Sequence, residues 1–188
     1  MRQLTGQDTI YLNLEGDETT AHVTAMMIMD QRTAPGEHVT FKQILMHLEN
    51  CLPDLPMLMQ KLVHVPLELD YPFLGYDDEF DLEFHVRHIA LPQPGDWRQL
   101  CIQTSRIHAR GLDLSKPLWE MYVIEGVNHA KNHQSGSFAL LFKIHHALVD
   151  GGAFPVMLSK LLDTTPSTPK REPGTSVQIR APQRSEAL

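Results

Sequence analysis

Two adjacent histidines followed by an acidic residue and a glycine are the residues of this chain best suited to chemistry. His145 and His146 end an apolar run that begins at Phe138, and Asp150 and Gly151 follow closely. Neighbouring residues of a strand point to opposite faces, so one imidazole could face a cleft while the other faces packed protein. A histidine near neutrality can accept a proton from a substrate hydroxyl, and a nearby carboxylate can fix the local geometry. The stretch therefore suits acyl transfer, although strand parity does not say which histidine faces a substrate.

Two other interpretations of the histidine pair are a purely structural role and a metal site. A single histidine at the end of a strand is usually structural. Histidine and aspartate are also common metal ligands, but adjacent histidines on a strand diverge and cannot easily hold one ion. No cluster of cysteine or histidine at ligand spacing supplies further donors. The sequence predicts no metal site.

Several segments of the chain carry a family resemblance. Residues His145–Gly151 match the HHxxxDG signature of the chloramphenicol acetyltransferase-like superfamily, which includes peptide-synthetase condensation domains and bacterial wax ester synthase/diacylglycerol acyltransferases. The similarity to the latter branch runs from the N-terminus to about Leu162. The segments that resemble this branch are Leu4–Asp8, His22-Val23, Phe80–Arg87, Leu91–Gly95 and Pro117–Gly126.

The resemblance implies direct transfer with no acyl-enzyme and with acyl-CoA as co-substrate, without a further cofactor. His146 would act as the general base that takes the proton from the attacking hydroxyl, and His145 would be structural. Asp150 would be a structural anion that holds the loop, rather than a group that orients His146, and Arg87 is its candidate partner. Gly151 would let the backbone approach the substrate closely.

Other segments could contribute to a substrate pocket. Pro117, Leu118 and Trp119 could form part of an acyl pocket or a domain contact, but a tryptophan at the start of a buried strand is more often core. Met26, Met27 and Met29 could line an apolar channel, with ordinary core packing as the alternative.

Composition limits the class of protein. A chain of 188 residues is long enough for one domain with a core, and a net charge of −7 without a basic stripe argues against nucleic acid as a partner. Cys51 and Cys101 suggest no disulfide framework. No signal segment is evident, and no apolar run approaches the ~20 residues that cross a bilayer. We expect a cytoplasmic protein with at most peripheral contact with a membrane or lipid inclusion.

The periodicity of apolar residues predicts alternating helices and strands. Together they predict an α/β sandwich with a mixed sheet and flanking helices, and the resemblance implies a chloramphenicol acetyltransferase-like fold. The predicted helices are 8–15, 40–48, 96–107 and 153–162, with Thr40 and Asp96 as the candidate N-caps of the second and third. The predicted strands are 22–29, 62–65, 82–86, 118–124 and 138–144.

The domain organisation follows from a change in composition. Residues 1–163 are interpreted as one acyltransferase domain, and residues 164–188 as a proline-rich linker. In the resembled family such a segment joins two similarly folded halves around a substrate tunnel, so we expect this chain to be the first half, with an absent C-terminal domain as its partner.

Three functional hypotheses result. The first is an O-acyltransferase that moves a long-chain acyl group from acyl-CoA to a fatty alcohol or diacylglycerol. The second is a related condensation-type domain with carrier-bound acyl donors, and the third is an inactive fragment that binds lipid.

Overall fold

The computed structural model describes residues 1–16, 19–129, 136–149 and 152–163. Asp150, Gly151 and the predicted linker 164–188 lie outside the described residues. The domain boundary predicted near residue 163 therefore stays a prediction.

The helices begin where the sequence places polar caps. Thr40, Asp96 and Thr5 are N-cap residues. The side chain of each accepts a hydrogen bond from the backbone N–H of the residue three positions later, and the side chain of that later residue accepts one from the backbone N–H of the N-cap residue. This reciprocal box satisfies two amides that the helix leaves unpaired, so the two predicted caps are confirmed. The α-helices are α1 Gly6–Asn13, α2 Phe41–Cys51, α3 Leu82–His85, α4 Trp97–His108 and α5 Ala153–Leu161. Short 3-10 helices span Gln31–Thr33, Pro35–Glu37, Leu52–Asp54, Pro56–Met59 and Pro66–Glu68.

The strands form two sheets in the described chain. The larger sheet has the order β2-β7-β6-β5, in which β5 and β6 are parallel and the other pairs antiparallel. The smaller sheet is antiparallel with the order β1-β4-β3. The predicted mixed α/β class is confirmed, although the sequence did not reveal that the strands divide into two sheets. The strands are β1 Arg2–Gln3, β2 His22–Met29, β3 Gln60–Val63, β4 Phe73–Tyr76, β5 Val86–Ala90, β6 Trp119–Val127 and β7 Ser137–His145.

The predicted strand at 82–86 is wrong. Residues Leu82–His85 form the single turn α3, and the strand β5 begins only at Val86. The Asp81 side chain accepts the Glu83 N–H at 2.9 Å and so starts the turn. Leu82 and His85 are both buried, and residues three positions apart lie on one face of a helix. The alternation of apolar and polar residues over 82–86 is equally compatible with a strand.

The larger sheet carries a core on each face. We call front the face on which β7 presents Phe138, Leu140 and Phe142, which pack in one cluster with residues of α2 and α5. The back face presents Ala139 and Leu141, which pack in another cluster with residues of α4. The alternation of β7 therefore assigns each of its side chains to one of two cores.

A buried lysine joins the back face to α4. Lys143 is fully buried, and its Nζ donates to the carbonyls of Ile107 at 3.2 Å and of Arg110 at the helix C-terminus. Burial lowers the pKa of Lys143. The carbonyl end of a helix favours a cation, so the contact fixes α4 against the strand that ends in the two histidines.

Candidate active site

His146 lies directly after β7 and lines a cavity. Its backbone N–H donates to the Ala21 carbonyl at 2.9 Å, which fixes the strand end, and its side chain is half-buried. The cavity has a volume of about 210 Å³, and Val23, Ala25 and Phe154 form part of its apolar wall. An imidazole in this position is open to a small group that enters the cavity.

His145 has the opposite environment. The ring is fully buried, and its Nδ1 accepts the Ala147 N–H at 3.0 Å. The proton of the neutral ring therefore sits on Nε2, which lies 3.6 Å from the Glu15 carboxylate. Burial lowers the pKa of His145 and so favours the neutral ring. The two histidines differ in access, as strand parity required, and the second of them faces the cavity.

Arg87, the predicted partner of Asp150, lies in a network with two residues of β6. Arg87 forms an ion pair with Glu120, with 3.2 Å between Nη2 and Oε1, and donates to the Tyr122 hydroxyl at 3.1 Å. The Tyr122 hydroxyl in turn donates to Glu120 at 3.0 Å. Sequence reasoning missed this network. Because Asp150 lies outside the described residues, its structural role and its pairing with Arg87 stay predictions.

The segment Pro117-Leu118-Trp119 is buried in the core. The Trp119 indole N–H donates to the Leu58 carbonyl at 2.7 Å, and its ring stacks on His85 with 4.8 Å between centroids. The backbone of Leu118 accepts the His145 N–H at 3.0 Å. These contacts are those of a core residue, which is one of the roles that the sequence left open. The segment contacts the histidine pair through its backbone.

A second, larger cavity lies on the front face. Its volume is about 400 Å³, and its lining is almost wholly apolar. Met27 and Met29 on β2 line it, as do Leu158 and Leu161 on α5. The same two elements also form part of the wall of the His146 cavity, so the cavities follow one another along β2 and α5. Met27 and Met29 thus line this cavity as well as packing against the core of the front face. Met26 packs instead against the cluster on the back face, because neighbouring strand residues point to opposite sides.

His47 stands at the polar end of this cavity. Its Nε2 bonds the Leu161 carbonyl at 2.7 Å, the Cys51 sulfur lies 3.6 Å from the same nitrogen, and Asp163 lies 4.0 Å from Nδ1. The sulfur, the carbonyl at the end of α5 and the Asp163 carboxylate raise the pKa of His47 to about 9. The protonated ring therefore ties α2 to α5 across the cavity.

This tie predicts a pH-dependent stability. In the unfolded chain the pKa of His47 is ~6.5. Below this pH the ring is charged in both the folded and the unfolded state, so the tie contributes in full to the free energy of unfolding. As the pH rises to about 9 the folded ring loses its proton and the contribution disappears. We expect the free energy of unfolding to fall by about 1 kcal/mol over this interval, a figure reduced for solvent screening of a partly exposed group.

Urea unfolding at both ends of this pH range measures the effect. His47→Gln should lack the fall, whereas His38→Gln, at an exposed histidine, should retain it. Equal pH profiles for the wild type and His47→Gln would contradict the tie.

Within the described ranges, no helix is long and apolar enough to cross a membrane. The same part of the chain contains no group of three or more His, Cys, Asp or Glu side chains that could hold a metal ion.

Comparison with known proteins identifies the family. The wax ester synthase/diacylglycerol acyltransferase catalytic domain matches residues 4–187. A Mycobacterium tuberculosis protein named as a diacylglycerol O-acyltransferase is 35% identical over 187 residues, which cover 96% of this chain and 36% of the relative. A second such protein from this organism, tgs3, is 33% identical over 183 residues and is covered to 64%. The chain thus spans about a third of the first relative's length.

Solved structures agree on the fold. The wax ester synthase/diacylglycerol acyltransferase of Marinobacter aquaeolei VT8 superposes with a TM-score of 0.69 at 29% identity, covering 88% of this chain and 39% of that chain. The starter condensation domain of rhizomide synthetase superposes with a TM-score of 0.62 at 11% identity, covering 85% and 36%. The second likeness shows the fold alone, and the expected chloramphenicol acetyltransferase-like class is confirmed.

Proposed function

This chain belongs to the wax ester synthase/diacylglycerol acyltransferase family, and on that premise we propose that it supplies the general base for O-acyl transfer from a long-chain acyl-CoA to a fatty alcohol or a diacylglycerol. The observation that carries the proposal is the half-buried imidazole of His146 in the wall of a cavity, since β2 and α5 line both this cavity and a larger apolar one. A titratable ring beside apolar space suits a reaction in which an alcohol and a fatty acyl group meet.

The reaction proceeds in one transfer. A ring nitrogen of His146 takes the proton of the acceptor hydroxyl while the oxygen forms a bond with the thioester carbonyl carbon. The carbon–sulfur bond then breaks, and the proton passes from the imidazolium to the CoA sulfur. Ester and free CoA are the products, and the imidazole returns to its neutral state. The role of His145 is to hold the strand end. Asp150 and Gly151 lie outside the described residues and keep the roles that the resemblance implies.

The larger cavity would receive the acyl chain. Its apolar lining from β2, α2 and α5 matches methylene groups, each of which gains ~0.8 kcal/mol on burial. Because the chain spans 36% of the first relative's length, we propose that a C-terminal domain supplies the rest of the substrate tunnel. Since acceptors and products are lipids, we expect the protein to work at a membrane surface or lipid inclusion.

Product analysis tests the proposal. The complete natural protein that carries this chain is incubated with palmitoyl-CoA and either hexadecanol or dipalmitoylglycerol, and CoA thiol release and ester formation are measured together. Stoichiometric ester and thiol support it. Transfer only from a carrier-bound acyl group favours the condensation-type alternative. Ester formation by the complete protein, together with lipid binding but no transfer by this chain alone, favours the inactive fragment.

Narrowing the larger cavity should change the preference for acyl chain length. Ile44 of α2 lines this cavity and is half-buried, so Ile44→Trp would place an indole where the far methylenes would lie. Loss of about two buried methylenes costs ~1.6 kcal/mol, or roughly tenfold in kcat/KM for palmitoyl-CoA relative to butyryl-CoA.

Met46 provides the matched control, because it lies on the same helix and is 53% exposed. Met46→Trp should leave the ratio for the two donors unchanged. An unchanged ratio in Ile44→Trp would remove the larger cavity from the acyl path.

A further inference from the structure

The helix α1 and the residues after it contact both histidines of the site. Tyr11 lies in α1 and Glu15 two residues beyond its end. The Tyr11 ring stacks on the imidazole of His146, with 4.8 Å between centroids and 21° between planes. The Glu15 carboxylate lies 3.6 Å from the Nε2 atom of His145. Two side chains four positions apart therefore reach the two adjacent rings.

These contacts are not a by-product of core packing. None of the eight residues of α1 is fully buried, so the helix is not held in place by a broad apolar face. Tyr11 itself is half-buried. Glu15 is an acid whose side chain is 11% exposed, and acids are rarely placed so deeply without a partner. The arrangement needs a reason beyond filling space.

Glu15 also anchors the backbone of the base. Its carboxylate accepts the Ala21 N–H, and the Ala21 carbonyl accepts the His146 N–H at 2.9 Å. The carboxylate is thus joined to the base through one residue of the chain. On the opposite side, the His145 N–H donates to Leu118. The end of β7 is held from both neighbouring segments.

The Glu15 charge acts on a second buried ring as well. His22 is paired with His145 across the β2–β7 register, and its Nε2 bonds the His108 carbonyl at 2.8 Å. Among the described residues, His22 Nδ1 and His145 Nε2 have no hydrogen-bond partner. Burial lowers the pKa of both rings, and the Glu15 charge opposes this shift in each. The Glu15 carboxylate, 3.6 Å from the His145 Nε2 atom, thus acts electrostatically on both buried rings.

We propose that Tyr11 and Glu15 are the positioning residues for the base: Glu15 fixes the His145 ring and the strand end, and Tyr11 fixes the plane of the His146 ring. The inference rests on the proposed role of His146 as base. A stacked neighbour covers one face of an imidazole but leaves its edge free, and both nitrogens lie on that edge. The ring can then present a nitrogen to the cavity without a search over rotamers.

Nuclear magnetic resonance of the imidazole rings of this chain tests the positioning directly, without an activity assay. The His146 signals are assigned by their loss in His146→Gln. In Tyr11→Leu we expect the His146 ring protons to lose the upfield shift caused by the stacked ring. In Glu15→Gln, which keeps an oxygen for the Ala21 N–H but removes the charge, we expect the His145 nitrogen and proton signals to move.

The controls are Tyr76→Leu, at an exposed tyrosine of β4, and Glu49→Gln, at an exposed acid of α2. Neither should shift these signals. The proposed positioning roles would be overturned if the His146 signals were unchanged in Tyr11→Leu or the His145 signals were unchanged in Glu15→Gln. If Tyr11→Leu unfolds, Tyr11→Phe provides the test in its place. This variant keeps the stacked ring, so its His146 shifts must equal those of the wild type.

Turnover gives a second measure. Loss of ring orientation should lower kcat by about 10- to 100-fold with little change in KM, and Tyr11→Phe should restore it. A general loss of folding would instead reduce the active fraction in all variants alike. If His146→Ala keeps full turnover, the proposed base is wrong, whereas the ring shifts still decide whether Tyr11 and Glu15 hold the histidines.

Discussion

Replacement of His146 by alanine is expected to lower kcat for ester formation by about 10²- to 10⁴-fold, the contribution of a positioned general base. The variant loses the proton acceptor but keeps the backbone bond to Ala21 that fixes the strand end. The side chain is half-buried beside a cavity, so its removal should cost little stability. The measurement is steady-state turnover with palmitoyl-CoA and hexadecanol, alongside the thermal unfolding midpoint.

His38→Ala, at an exposed histidine, is the matched control and should keep wild-type turnover. His145→Ala should behave differently, because it empties a fully buried site and leaves the Ala147 N–H without its acceptor. We expect that variant to lose stability before it loses chemistry. Turnover that survives in folded His146→Ala would show that another group accepts the proton.

The largest expected effect on stability is that of Trp119→Ala, at about 3–5 kcal/mol. The indole is buried, donates to the Leu58 carbonyl, stacks on His85 and packs against the tilted ring of Phe142. Truncation would leave a large cavity and an unpaired carbonyl in the core. Urea unfolding followed by circular dichroism measures the loss.

The chain offers an internal comparison, since its second tryptophan, Trp97, is 43% exposed at the start of α4. Trp97→Ala should cost less than about 1 kcal/mol. The pair of variants also decides the role of the Pro117-Leu118-Trp119 segment. A Trp119→Ala protein with wild-type stability and altered acyl preference would favour a substrate contact over a core role.

Local patterns predicted much of the fold. Thr40 and Asp96 were identified as caps because a cap depends on residues only three positions away. The strand at 22–29 matches β2, since its side chains alternate over a long run. The single helical turn Leu82–His85 was missed because a segment of four residues fits both the 3.6-residue period of a helix and the two-residue period of a strand.

The residues that surround the histidines could not be found in this way. Tyr11 and Glu15 reach the pair from the other end of the chain, and Glu120 pairs with Arg87. None of these contacts has a periodic signal, because they depend on which segments pack together. The composition of α1 gave no indication that it contacts the site.

The sequence by itself determined the α/β class, the family resemblance, and the rule that neighbouring strand residues point apart. It also identified the histidine pair as the centre of any chemistry. Only the tertiary structure decided that His145 is enclosed and that His146 lines a cavity, and it placed the larger apolar cavity along the same strand and helix. The reason is physical: alternation is a local property of one strand, whereas burial depends on the pairing of β2 with β7 and on the helices that cover each face.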